Sequence, residues 1–232
     1  MIRIRPLKRA QTLKDMAYEQ VKGLLRTGKM SCDAIYSANH LADRLGVSRT
    51  PVREALLQLS AEGFLTTLGS KGFRVRRYTR EEVEDTFEAR QAIERWVVEQ
   101  LAARKDFDPT ELGQAFDLMA EAAATGDSHG FMEADERFHL ALVRAQGNAL
   151  LAAVMENIRD RISVLGHQAL AVQGRMAEVL EEHRRIAGAL KRGGPAQASA
   201  AMAEHLDATR RNLLRDFAEE EKGADASHRR TA

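Results

Sequence analysis

The chain has little cysteine: Cys32 is the one thiol in 232 residues. That excludes an internal disulfide framework and fits a reducing compartment. Cys32 reads as a packed or incidental thiol rather than a redox switch. Long hydrophobic runs are missing as well. No stretch approaches the roughly 20 apolar residues that span a bilayer, and the opening Met1-Ile-Arg-Ile-Arg-Pro6 has no apolar signal core. The expectation is a cytoplasmic protein without a membrane partner. No His-Glu-x-x-His or comparable catalytic motif occurs, which argues against a metal-dependent hydrolase. Net charge is nearly absent, at +1.

That near-zero charge hides a strong asymmetry. Residues 1–77 hold 15 Lys and Arg against 6 Asp and Glu, a balance of +9, and the remainder carries 20 against 28, a balance of −8. A basic third joined to an acidic remainder predicts a nucleic-acid module attached to a domain with another task. Phosphate neutralisation by such a module makes binding steeply salt-dependent.

The basic third contains Leu41-Ala-Asp-Arg-Leu-Gly-Val-Ser-Arg-Thr-Pro-Val-Arg-Glu-Ala-Leu56. Leu41, Leu45 and Val47 supply apolar positions to a first helix and turn, and Gly46 sits where the chain must bend sharply. Ser48 is placed to cap a second helix, with Pro51 in its first turn, where a missing N–H is tolerated. Val52, Leu56 and Leu59 share an apolar face, leaving Arg49, Thr50 and Arg53 free for a partner. The N-terminal end of such a helix reaches base edges and phosphates. Gly63 closes the helix. Phe64–Leu68 and Phe73–Arg76 then read as two strands around Gly69-Ser-Lys-Gly72, a hairpin with a basic tip from which Lys71 can reach a phosphate or a minor groove.

From residue 79 the strand-type alternation disappears. Thr79-Arg-Glu-Glu82 offers a capping box before Val83, Phe87, Ile93, Val97 and Leu101 at helical spacing. Asp108-Pro-Thr-Glu111 marks another start, with Pro109 at the first helical position. Gly126-Asp-Ser128, Gly147-Asn148 and Gly193-Gly-Pro195 mark breaks, and Leu151, Val154, Met155, Ile158, Ile162 and Leu165 form a stripe between two of them. The expected fold is mainly α: a winged helix-turn-helix followed by an antiparallel all-α bundle of six to seven helices. The expected domains are 1–78 for DNA binding, 79–221 for the bundle, and a disordered tail at 222–232.

Within the bundle, Asp135 and His139 lie four apart, about 40° around a helix and ~6 Å along it, so they share a face. His183 keeps company with Ile186 and Leu190, and His205 with Met202 and Leu206, which turns both histidines inward. A carboxylate and three imidazoles converging in a bundle core suit zinc, nickel or another divalent transition metal. The residues alone leave this open, because seven histidines could place three on inner faces by accident.

Residues 45–56, Leu-Gly-Val-Ser-Arg-Thr-Pro-Val-Arg-Glu-Ala-Leu, resemble the signature of the GntR superfamily of bacterial transcription regulators. The resemblance implies that Ser48, Arg49, Thr50 and Arg53 contact an operator, with Gly69, Ser70 and Lys71 at the wing tip. Where members usually carry a Pro-Gly turn this chain has Met30–Asn39, and Asn39 stands where some relatives place a DNA-contacting arginine. Asp135-Glu-Arg-Phe-His139, Glu182-His183-Arg-Arg-Ile186 and Met202-Ala-Glu-His205-Leu206 resemble the ligand segments of the FCD-type effector domain found in the FadR subfamily. The resemblance covers roughly residues 79–217. It implies a divalent ion on Asp135, His139, His183 and His205 and a small carboxylate effector in the cavity. Arg90, matching a position where an arginine enters that cavity, suits bidentate carboxylate binding. Its alternative role is a surface salt bridge with Glu94.

The expected protein is a homodimeric, ligand-responsive regulator, a repressor by family habit, that places two winged heads on a pseudo-palindromic double-stranded operator. Apolar stripes over 80–104 and 148–170 place the dimer contact in the bundle. Two other readings stand beside it: a DNA binder with a purely structural metal and no effector, and a metal-dependent hydrolase.

Overall fold

The computed structural model describes residues 11–169 and 175–228. The opening segment Met1–Pro6, the side chain of Leu165 and residues 229–232 lie outside the described set. The chain divides between Arg77 and Tyr78 into two units.

In the first unit, α1 (Leu13–Arg26) begins with a reciprocal cap. The Thr12 hydroxyl accepts from the Asp15 N–H, and the Asp15 carboxylate accepts from the Thr12 N–H. Its buried Ala17, Val21 and Leu25, spaced four apart, face α3. Helix α2 (Ala38–Leu45) is capped by Ser37 and ends at Gly46, whose φ of 66° is left-handed. Helix α3 (Arg49–Ala61) buries Val52, Ala55, Leu56 and Leu59. Each of the larger three contributes about 1.5–3 kcal/mol by leaving water.

Strands β1 (Leu65–Thr67) and β2 (Phe73–Val75) pair antiparallel, with Leu65 opposite Val75 and Thr67 opposite Phe73. A single 3-10 turn, Gly69–Lys71, forms the tip. Tyr36 extends this ribbon: its N–H donates to the Phe73 carbonyl at 2.7 Å and its carbonyl accepts from the Phe73 N–H at 2.9 Å. Gly72, at φ 123°, fits beneath that bridge, where an added Cβ would lie 2.5 Å from the Tyr36 carbonyl oxygen.

The second unit has six helices among its described residues: α4 (Arg80–Ala103), α5 (Thr110–Thr125), α6 (Ser128–Ala145), α7 (Ala149–Ala169), α8 (Arg175–Lys191) and α9 (Pro195–His228). The Thr79–Glu82 capping box opens α4. Asp127, accepting from the Gly130 N–H, opens α6. Helix α4 packs on α9, α5 on α6, and α8 on α9. The core contains Val83, Phe87, Val97, Leu101, Met119, Phe131, Phe138, Met155, Ile186, Met202 and Leu206.

Three expectations need correction. Pro109 is the N-cap of α5 rather than its first helical residue, because the Asp108 carboxylate takes the Thr110 N–H and starts the helix one position later. The stretch from Lys222 is helical to His228 rather than a disordered tail from its first residue. Alanine, glutamate and lysine are good helix formers by intrinsic propensity. The α7 stripe is only partly interior: Met155 and Ile162 are buried, whereas Val154 is exposed.

Candidate nucleic-acid interface and metal centre

The exposed face of α3 follows from what the helix buries. With Val52, Leu56 and Leu59 inward, the helix geometry turns Arg49, Thr50 and Arg53 to solvent, and all three are exposed. Ser48 is the N-cap residue by backbone geometry, yet its hydroxyl makes no cap hydrogen bond. It is exposed and available to a phosphate. The positive end of the α3 dipole lies at the same place. Gly69, Ser70 and Lys71 are exposed at the wing tip. Among the described residues, the side chains of Arg49, Arg53 and Lys71 take part in no hydrogen bond or ion pair. At the far end of α3, the Tyr18 hydroxyl donates to Glu62 at 2.6 Å and ties α1 to the turn before the wing. Partial burial and that carboxylate push the Tyr18 hydroxyl up to about 12.

In the second unit, α6, α8 and α9 bring Asp135, His139, His183 and His205 together, one ligand atom of each lying within 4.8 Å of the others. Nε2 of His139 is 3.3 Å from Nε2 of His183 and 3.2 Å from Nε2 of His205. Oδ1 of Asp135 is 3.1 Å from Nε2 of His183 and 3.6 Å from Nε2 of His139. A tetrahedral set at ~2.1 Å from an ion has donor atoms about 3.4 Å apart.

The outer ring decides which nitrogen carries each proton. His139 donates from Nδ1 to Oε2 of Glu94. His183 donates from Nδ1 to the Val179 carbonyl at 2.7 Å, the residue one helical turn earlier. His205 donates from Nδ1 to Oε2 of Glu182 at 2.8 Å. All three Nε2 lone pairs therefore face one another and a carboxylate oxygen, in a core where the imidazoles are 0–2% exposed. Burial, then His183, pushes His205 down to about 3, against the pull of Glu182. A neutral His205 follows. A cluster of three imidazoles, each held from behind at Nδ1 so that Nε2 points inward, and one carboxylate fits a divalent cation, and its nitrogen-rich donors suit a transition metal.

Each carboxylate in this arrangement is held by an arginine. Nε of Arg90 donates to Glu94 at 2.6 Å; Nη2 of Arg159 donates to Oδ2 of Asp135; Nη1 of Arg175 donates to Glu182 at 2.8 Å. Burial alone would raise the Asp135 carboxyl, but Arg159 and then His139 hold it well below the usual range. Glu94 is likewise lowered against its burial, by Arg90 and then His139. The Arg90–Glu94 pair is real but buried, at 1% exposure for both side chains, and is not a surface bridge. Arg90 also lines a cavity of about 50 Å3 beside the cluster, with Asp135, Arg159, Arg175, His205 and Thr209. That volume holds about three or four waters, or one small polar group.

Glu94, Arg159, Arg175 and Glu182 were missed as site residues in the sequence. Glu94 had a signal as the residue four after Arg90, and Glu182 as the neighbour of His183. Arg159 had none, being one of two arginines beside an acidic residue on α7, with no spacing that ties it to Asp135.

Comparison with known proteins agrees with both halves. The family "Bacterial regulatory proteins, gntR family" matches residues 13–75 and the FCD domain matches residues 85–208. An HTH-type transcriptional regulator of Streptomyces ambofaciens is 32% identical over 196 residues, 82% of this chain and 80% of that one. The HTH-type transcriptional repressor GlaR of Escherichia coli is 28% identical over 199 residues, 82% of this chain and 90% of that one. E. coli McbR/YncC shares the fold, with a TM-score of 0.77 at 22% identity over 89% of this chain and 99% of that one. Among the described residues, no helix is long and apolar enough to cross a membrane. The winged helix, the bundle and these relatives lead to one assignment: the chain belongs to the GntR family of bacterial transcription regulators, those with an FCD domain, and is a regulator rather than an enzyme.

Proposed function

We propose that this regulator is a cytoplasmic homodimeric repressor whose FCD domain holds a divalent transition metal, zinc or nickel, on Asp135, His139, His183 and His205. A small carboxylate effector in the adjoining cavity changes how the two winged heads hold a pseudo-palindromic operator. Each head uses Ser48, Arg49, Thr50 and Arg53 in the major groove and Gly69, Ser70 and Lys71 at the wing. The observation that carries the metal reading is the convergence of three Nε2 lone pairs on one carboxylate oxygen, each imidazole fixed from behind by a hydrogen-bond acceptor. Repression is supported by one relative, the transcriptional repressor GlaR of Escherichia coli. Dimerisation is supported by the two-fold symmetry that operators usually share with their proteins and by Trp96, Leu150 and Val154, which stay exposed.

The bound metal supplies a Lewis-acidic position for one oxygen of the effector. Arg90, beside the cluster, adds a second cationic group to the cavity. The test is elemental analysis of protein purified without chelator, with identification of co-purified acids by mass spectrometry. A transition metal at one per chain is expected. Metal-free protein that still responds normally to its effector on operator DNA contradicts the reading.

A further inference from the structure

Arg159 is 1% exposed, lines the cavity, and spends Nη2 on Oδ2 of Asp135. Its Nε is buried and has no hydrogen-bond partner. Nε and Nη2 lie on one edge of a planar guanidinium, the edge that grips an oxyanion side-on. Asp135 therefore occupies half of that edge and leaves the other half empty. The other oxygen of Asp135 faces the imidazole cluster, 3.1 Å from Nε2 of His183. A buried charged donor without a protein acceptor is costly, and it calls for a water, an ion or a ligand to accept from it.

We infer that Arg159 is an effector-binding residue: its free Nε–H takes one oxygen of a small carboxylate whose other oxygen lies toward the histidine cluster. The inference rests on the metal-and-carboxylate reading above and adds a residue to it. Arg90 cannot fill this role through its own Nε, which is taken by Glu94. Arg175 has both terminal nitrogens engaged, by Glu178, Glu182 and Thr209. Arg159 thus joins two sites. The same guanidinium orients a metal-facing carboxylate and holds the ligand, so occupancy of the cavity and the grip on the ion are coupled, reciprocally.

The test uses the full-length protein loaded with zinc. Acetate, malonate and citrate are the carboxylate probes, and inorganic phosphate and sulfate the rival oxyanions. The first readout is the rise in melting temperature, which reports binding to the folded state. The second is the Arg159 Nε–H resonance of the unmutated protein. Carboxylates are expected to raise the melting temperature and move that resonance, while phosphate and sulfate do neither. Arg159→Lys keeps a positive charge for Asp135 but has no Nε–H edge; compared with the parent at saturating zinc, it should bind the carboxylates roughly tenfold more weakly or worse.

Four results would overturn the assignment: no probe binds, phosphate or sulfate alone acts, the resonance stays still when a carboxylate binds, or Arg159→Lys responds like the parent. Failure of the metal reading looks different. If the parent takes up no zinc but its carboxylate response still depends on Arg159, the metal is lost and Arg159 stands.

Discussion

Glu94 accepts the Nδ1 proton of His139 across the bundle interior, 45 residues away in sequence, and so turns the Nε2 lone pair of that imidazole toward Asp135 and His183. The carboxylate does this only because Arg90 keeps it charged in a buried place. Replacing Glu94 by Gln keeps the shape and an acceptor but removes the charge. Metal affinity should fall about 10–100-fold, read by competition with a chromophoric chelator. The variant should also lose roughly 3–5 kcal/mol of stability, since Arg90 is left as an unpaired buried cation. Unchanged metal affinity would remove Glu94 from the support of the site.

Arg49→Ala and Arg53→Ala should each cost about 1–3 kcal/mol of operator binding if they make good base contacts. Lys71→Ala should weaken binding evenly across sequences and reduce the salt slope by about one. The measurement is fluorescence anisotropy against operator and scrambled duplexes at several salt concentrations. Equal losses on both duplexes for Arg49→Ala would make it a phosphate contact.

The wing depends on a residue that touches no DNA in this account. Gly72→Ala would force a Cβ to within 2.5 Å of the Tyr36 carbonyl at a φ of 123°. Strain of this kind costs on the order of 1–3 kcal/mol. The variant should bind DNA less well and unfold its first unit earlier, with zinc uptake unchanged. Full operator affinity would show that the Tyr36–Phe73 bridge is dispensable.

Tyr18 gives a pH dependence. Its folded pKa, about 12, exceeds the ordinary 10.0 because of partial burial and Glu62. A raised folded value means the contribution is fully present below pH ~10 and is lost as pH rises through ~12. Stability of the parent should fall across that window more than that of Tyr18→Phe, measured by denaturant melts. Identical pH profiles would refute the Tyr18–Glu62 coupling.

Much of this was legible in the residues. Turn chemistry at Gly46, periodicity at Val52, Leu56 and Leu59, and the Thr79–Glu82 cap are local signals, and local signals survive folding. The spacing of Asp135 and His139 fixes one face of one helix. What stayed hidden was long-range. The pairing of Tyr36 with Phe73 spans the whole helix-turn-helix, and its segment read only as a departure from the family pattern. Glu94 to His139 and Arg159 to Asp135 are partners chosen by how helices pack, which no periodicity reveals; Arg175 and Glu182, two turns apart on α8, are the local exception. Arg90 shows the limit well: the alternatives of salt bridge and cavity residue turn out to share one side chain.

The most direct test of the central claim is metal content of the parent and His183→Ala, purified in parallel and measured by inductively coupled plasma mass spectrometry, with operator binding measured on the same samples. One transition-metal ion per parent chain is expected, with its loss from His183→Ala together with the effector response, and operator binding nearly unchanged, because the proposed ligands lie in the second unit. Full metal occupancy in His183→Ala, or a parent that contains none and cannot be loaded, would contradict it.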